Sequence, residues 1–223
     1  HPRSGARMAL PMALASADRA NISAGITTKF HAISFERDDE ADRSPELAAT
    51  LTDAIVGADD LLADHRLHAR CEVTQKQCVD AVLDVVENGD PDLVSVMSHV
   101  PGKGQFQDVE AFKRYYENAK DHTVAEAEEM IEQRIDISMA TLRERVDRVI
   151  SAAHDAGAVT ASHDDEDPAE IQRLADSGVD ITEYPITLET AERAAEAGVT
   201  TAMGAPNLVR GESQWGNLSP ASI

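Results

Sequence analysis

Histidines and acidic residues gather where the sequence predicts that β-strands end. These residues are His68, Glu72, His99, His163, Asp164 and Asp165. Neutral imidazole and ionised carboxylate are ligands that Zn2+ or Mn2+ accepts, and such an ion activates water for hydrolysis. We therefore expect Glu72, His99 and His163 to hold a divalent metal ion, Zn or Mn. His68 is a further candidate ligand, because residues four apart on a strand share one face.

The acidic residues after His163 allow two interpretations. Asp164 or Asp165 would act as the catalytic carboxylate, orienting a histidine or carrying a proton. In a chain with 41 acidic residues, however, most carboxylates only face solvent, and Asp167 fits a helix cap. The alternative for each metal candidate is a core residue whose polar atoms are satisfied locally.

A group of polar residues that could bind phosphate follows the last predicted strand. The stretch MGAPNLVRGESQWGN, 203–217, contains Asn207, Arg210 and Ser213. With Lys103 across the mouth of the fold, these side chains would form a local positive spot suited to a phosphorylated small molecule. An ordinary loop with a helix cap is the alternative.

Composition limits the classes of partner. The chain has 223 residues, 42% of them hydrophobic, and a formal charge of -21, so it is globular and repels nucleic acid and anionic membranes. The acidic surface is typical of proteins from salt-loving microbes. No apolar run approaches the roughly 20 residues of a membrane span, and Cys71 and Cys78 are expected in the core rather than in a disulfide. We expect a cytoplasmic protein, and a homo-oligomer is compatible with the sequence.

A repeated phrase carries the fold prediction. A small residue and a glycine precede a β-branched run in the segments 24–34, 156–165, 177–186 and 197–207. The glycine suits the left-handed residue that ends a helix, so each phrase predicts a helix-to-strand junction. Ser44, Thr74 and Asp167 are predicted helix starts. His31 is expected to line the sheet interior and His65 to lie on the surface.

The alternation of strands and helices predicts an α/β fold with about six βα units and a parallel sheet. This is either a (β/α)8 barrel without its first and last strands, or an open doubly wound sheet. No glycine-rich phosphate loop follows an early strand, which disfavours the open sheet. We expect one incomplete barrel domain over 1–223, because the chain begins at His1 rather than Met.

Seven blocks in order carry a family resemblance. They are HPRSGARMALP, AGITTKFHAIS, LHARCEVT, VMSHVPGKGQF, ASHDDED, EYPITLETA and MGAPNLVRGESQWGN. With these blocks the chain resembles a phosphonate-metabolism family of the amidohydrolase superfamily. The resemblance implies a metal-dependent barrel that cleaves α-D-ribose 1-methylphosphonate 5-triphosphate to the 5-phosphate and pyrophosphate. It also implies ligand roles for Glu72, His99 and His163.

Two residues depart from the family pattern. Ser98 stands where the family usually has an aspartate, and Gln214 stands where it has a histidine. Two further hypotheses therefore stay open: an amidohydrolase that cleaves a C–N bond, and an inactive, truncated barrel that serves as a partner surface.

Overall fold

The computed structural model describes residues 8–38, 43–100, 137–213 and 217–223. Six parallel strands form one sheet in the order β1 to β6. The strands are β1 (Thr28–Phe35), β2 (Asp64–Glu72), β3 (Leu93–Met97), β4 (Val159–His163), β5 (Ile181–Glu183) and β6 (Thr200–Ala202). The helices are α1 (Leu10–Ser23), α2 (Pro45–Val56), α3 (Lys76–Asn88), α4 (Met139–Asp155), α5 (Pro168–Asp176), α6 (Leu188–Glu196) and α7 (Ala205–Arg210), with a 3-10 turn at Pro220–Ser222.

The strand order distinguishes the two predicted architectures. Each strand pairs with the next strand in the chain, and a helix follows each one. A doubly wound sheet reverses its order at a switch point, whereas a barrel adds strands consecutively. The predicted barrel-type arrangement of six βα units is therefore confirmed, and all strand carboxyl ends meet at one edge.

Glycines end the helices that precede four of the strands. Gly25, Gly157, Gly178 and Gly198 have φ angles of +79°, +80°, +92° and +78°. After α5, the amide of Val179 donates to the carbonyl of Leu174 at 2.9 Å, which is the hydrogen bond of a left-handed helix end. The predicted helix-to-strand junctions are confirmed.

Two of the three predicted helix starts are confirmed. The Ser44 hydroxyl accepts a hydrogen bond from the amide of Leu47 at 3.1 Å, and Asp167 accepts one from Ala169 at 2.8 Å. The prediction for Thr74 was wrong, because α3 begins after Gln75. The Thr74 hydroxyl donates instead to Glu72, at 2.5 Å.

Strand β2 separates the core from the candidate site. Leu67, Ala69 and Cys71 are buried in the cluster between the sheet and the helices, together with Cys78 of α3. Neither cysteine forms a disulfide, and burial raises the pKa of Cys71, so both are core residues as predicted. Since side chains alternate along a strand, residues 68, 70 and 72 face the other side of the sheet.

Two histidines fasten α1 to the sheet. His31 Nε2 lies 2.6 Å from Nδ1 of His65, whose Nε2 lies 3.0 Å from the carboxylate of Asp18 in α1. The His65 side chain is 3% exposed, so its predicted surface position was wrong. His31 faces α1 rather than the sheet interior because it shares a strand face with the core residue Phe35 and pairs with the core residue Leu67.

Among the described residues, no helix is long and apolar enough to cross a membrane. Lys103 and Gln214 lie outside the described residues.

Candidate metal centre and adjoining cavity

Glu36, Glu72 and His99 form a compact group at the carboxyl ends of β1, β2 and β3. One ligand atom from each residue lies within 4.8 Å of the other two. Glu72 ends β2, and Glu36 follows β1 directly. Strand pairing aligns Glu72 with Met97, two residues before His99. Parallel pairing therefore brings the three residues together at one edge of the sheet.

The surroundings hold Glu72 in one orientation. Glu72 is completely buried, and its Oε1 accepts hydrogen bonds from the Thr74 amide at 3.1 Å and the Thr74 hydroxyl at 2.5 Å. Its Oε2 lies 2.6 Å from His99 Nδ1. Arg145 of α4 donates to the carbonyls of Val73 and Thr74 at 2.8 and 2.9 Å, which fixes the turn after Glu72. Such outer contacts orient metal ligands in proteins.

The donor set fits a divalent cation. Two carboxylates, 4% and 0% exposed, stand beside one imidazole, and this is a ligand combination that Zn2+ and Mn2+ accept. Because His99 Nδ1 donates to the Glu72 carboxylate, Nε2 carries the lone pair of the neutral ring. Glu36 also accepts a hydrogen bond from Arg43 at 3.0 Å.

His163 lies in a different environment. An Arg70 guanidinium nitrogen is 3.0 Å from His163 Nε2. Because a guanidinium only donates, Nε2 accepts and the proton of the neutral ring sits on Nδ1. His163 Nδ1 lies 2.9 Å from Asp164 Oδ2, but the contact lacks hydrogen-bond alignment, and both atoms are buried without a hydrogen-bond partner among the described residues.

Asp165 braces two strands. Its Oδ2 accepts hydrogen bonds from Ser162 of β4 and Thr182 of β5, each at 2.5 Å. Burial raises the pKa of Asp165, although the two hydroxyls act in the opposite direction. The Asp165 carboxylate is therefore occupied by two neighbouring hydroxyls. Asp164, in contrast, faces His163.

His68 is a buried neutral imidazole. Its Nε2 lies 2.7 Å from the Ser95 hydroxyl and 4.0 Å from Glu183. Burial, and then the neighbouring Arg70 and His163, lower the pKa of His68 to about 3. His68 therefore remains uncharged at neutral pH.

A cavity of about 360 Å³ opens beside His68, Arg70 and His163. Asp164 and Tyr184, which directly follow β4 and β5, line this cavity with φ angles of +56° and +58°. Non-glycine residues seldom adopt this conformation, and such residues cluster at functional sites. The remaining polar lining is Glu183, Asn207, Ser213 and Asn217.

The structure thus divides the predicted site residues between two neighbouring places. Glu72 and His99 meet, and their third partner is Glu36, which the sequence analysis missed. Its one available signal was its position directly after a strand. The other candidates that line the cavity are His68, His163, Asp164, Asn207 and Ser213. Their ligand and substrate roles remain predictions.

Arg210 is placed elsewhere. It is exposed on α7, where it donates to the Asn207 side chain at 2.8 Å and to the Pro206 carbonyl at 3.3 Å. The cation that lines the cavity among the described residues is Arg70. Arg70 was not among the residues predicted from the sequence, although it shares one face of β2 with His68 and Glu72.

The consecutive parallel sheet and the histidine–carboxylate group at its carboxyl edge define a class, the barrel-type α/β proteins with a candidate metal centre. Over 215 aligned residues, the chain is 30% identical to α-D-ribose 1-methylphosphonate 5-triphosphate diphosphatase from Escherichia coli (strain K12). The match covers 95% of this chain and 57% of that protein, so the chain spans little more than half of its relative. The match confirms the predicted family resemblance: the chain is related to this diphosphatase.

Two solved structures show weak similarity to this chain. Dihydropyrimidinase from Brevibacillus agri NCHU1002 is 13% identical, with a TM-score of 0.36 over 85% of this chain and 41% of that one. D-Hydantoinase from Bacillus sp. AR9 is 16% identical, with a TM-score of 0.34 over 83% and 40%. No family model matches the chain.

Proposed function

We propose that this chain is part of a metal-dependent hydrolase of phosphonate catabolism. The bond cleaved is a phosphoanhydride, and the substrate is α-D-ribose 1-methylphosphonate 5-triphosphate, which yields the 5-phosphate and pyrophosphate. The observation that carries the proposal is the Glu36–Glu72–His99 group, found in a chain that is 30% identical to a diphosphatase named for this substrate.

Glu36, Glu72 and His99 would hold the cation, with Thr74 and Arg145 keeping Glu72 in place. When bound, a divalent cation polarises a phosphoryl oxygen and makes water more acidic. The cavity lined by Arg70 and His163 would hold the phosphorylated substrate. Arg70 in its lining suits an anion better than the neutral amide of a C–N hydrolase.

His163 remains the proposed histidine of the reaction, as a ligand or as a proton acceptor at Nε2. Of the two acidic candidates, Asp164 fits the orienting role better, because its carboxylate lies 2.9 Å from His163 Nδ1. Asp165 is bonded to two hydroxyls and fits a bracing role.

The test compares Glu72→Gln with Glu192→Gln, an identical change at an exposed position of α6. Each purified protein is loaded with Mn2+, dialysed and measured for bound metal and for pyrophosphate release from the triphosphate. We expect the wild type and Glu192→Gln to bind Mn2+ and release pyrophosphate, and Glu72→Gln to lose both. Bound Mn2+ without pyrophosphate release would contradict the proposed substrate, and a wild type without bound Mn2+ would contradict the site.

A further inference from the structure

Arg70 is a cationic side chain in the lining of the cavity. Its contact is with the neutral ring nitrogen of His163, and no carboxylate of the described residues lies within ion-pair distance of it. Arg66, on the same strand, is bonded to Asp64 at 2.8 Å and Asp92 at 3.2 Å. A guanidinium bonded only to a neutral imidazole binds a phosphate more strongly, since a phosphate carries the opposite charge and accepts two parallel N–H bonds.

We propose that Arg70 is the phosphate-binding group of the cavity, and that phosphate binding withdraws Arg70 from His163. The inference rests on the proposed function, because it assigns the subsite for the phosphoanhydride of that substrate. It replaces Arg210 by Arg70 as the residue that faces the substrate's charge.

The position of Arg70 relative to the metal group supports this assignment. Arg70 and Glu72 share one face of β2, two residues apart, which is about 6.6 Å along a strand. Asp164 and Glu183 line the same cavity and repel an anion. A phosphate at Arg70 would therefore gain from a cation held by Glu72 and His99 as a second partner.

The contact between Arg70 and His163 gives phosphate binding a chemical consequence. While Arg70 donates to Nε2 of His163, that nitrogen can neither take a proton nor bind a metal ion. A phosphate that draws the guanidinium away exposes the lone pair of Nε2, while Nδ1 stays 2.9 Å from Asp164 Oδ2. His163 thus becomes active only when the substrate's charge is in place.

Isothermal titration calorimetry with inorganic pyrophosphate in the presence of Mn2+ tests the proposed phosphate site at Arg70. The variants are Arg70→Met and Arg70→Lys, and the matched control is Arg66→Met on the same strand. We expect Arg70→Met to weaken pyrophosphate binding at least about 30-fold, Arg70→Lys to weaken it less, and Arg66→Met to leave it unchanged. Bound Mn2+ should be the same in all four proteins.

Nitrogen-15 NMR of the imidazoles, recorded with diamagnetic Zn2+ in place of Mn2+, tests the release of His163. Pyrophosphate should shift the His163 Nε2 signal of the wild type, and Arg70→Met should show a shifted signal without pyrophosphate. Unchanged pyrophosphate affinity in Arg70→Met, an unmoved His163 signal, or a wild type that binds Mn2+ but no pyrophosphate would each overturn the inference. Loss of Mn2+ from the wild type itself would instead contradict the proposed function. If Arg70→Met fails to fold, Arg70→Lys must still weaken pyrophosphate binding.

Discussion

Replacing Gly178 by alanine tests the helix-to-strand junctions that set the strand ends. Gly178 has φ +92°, and a Cβ atom there would lie 2.5 Å from ring carbon Cε1 of His154. Gly157 provides the matched position. It ends α4 with φ +80°, and a Cβ there would meet no atom within 4 Å.

Both substitutions force alanine into the left-handed conformation, and only Gly178→Ala also displaces the His154 ring. An L-residue in the left-handed conformation costs about 1–2 kcal/mol. At Gly178 the His154 ring must also move, which breaks the 3.2 Å contact between His154 Nε2 and the Thr160 hydroxyl. Such a bond is worth about 0.5–1.5 kcal/mol. We expect Gly157→Ala to lower the free energy of unfolding by about 1–2 kcal/mol, and Gly178→Ala by about 0.5–1.5 kcal/mol more.

Urea denaturation followed by circular dichroism measures both changes. The same pair is then compared in a His154→Ala background, where no ring remains to be displaced. The difference between the two glycine positions should vanish there. A Gly178→Ala protein as stable as the wild type, or a difference that persists without His154, would refute the reasoning.

Three further predictions concern titrating residues. Burial, with His65 and Lys29, lowers the pKa of His31, so the unfolded chain binds its proton more readily and stability falls as pH drops through about 6.5; His31→Gln should flatten the fall in Tm between pH 7.5 and 5.5, and an unchanged slope would contradict this. His68, with a pKa of about 3, should show no imidazole titration by NMR between pH 5 and 8, and a midpoint in that range would exclude its buried neutral state. Asp165→Ala should lower the free energy of unfolding, measured by urea denaturation, by about 2–4 kcal/mol because two buried hydroxyls lose their acceptor. Asp165→Asn should lower it less because the amide keeps one acceptor oxygen. Equal losses would argue against the bracing role.

The fold was predictable because its signals are local. The glycine of each repeated phrase needs only its own helix end and the strand that follows, and Asp167 with Pro168 fixes a helix start within one turn. The Thr74 prediction failed because a nearby strand residue, Glu72, competes for its hydroxyl. Local patterns therefore predict helices and strands well. They fail where a residue of the pattern, such as Thr74, forms a hydrogen bond with a buried carboxylate instead of capping its helix.

The site was predictable only in part because it depends on register and on long-range partners. Glu72 and His99 could be paired from their positions at successive strand ends. Glu36 is one of many acidic residues in its stretch, and only the pairing of β1 with β2 shows that it faces Glu72. Arg70 shows its role only once its contact with His163, 93 residues away, is known.

The most direct test of the account is the position of a bound cation. Crystals of this protein grown with Mn2+ would give an anomalous difference map at the manganese absorption edge. The account predicts a peak among Glu36, Glu72 and His99, at about 2.0–2.3 Å from their ligand atoms. A map with no peak there, or with its one strong peak elsewhere, would contradict it.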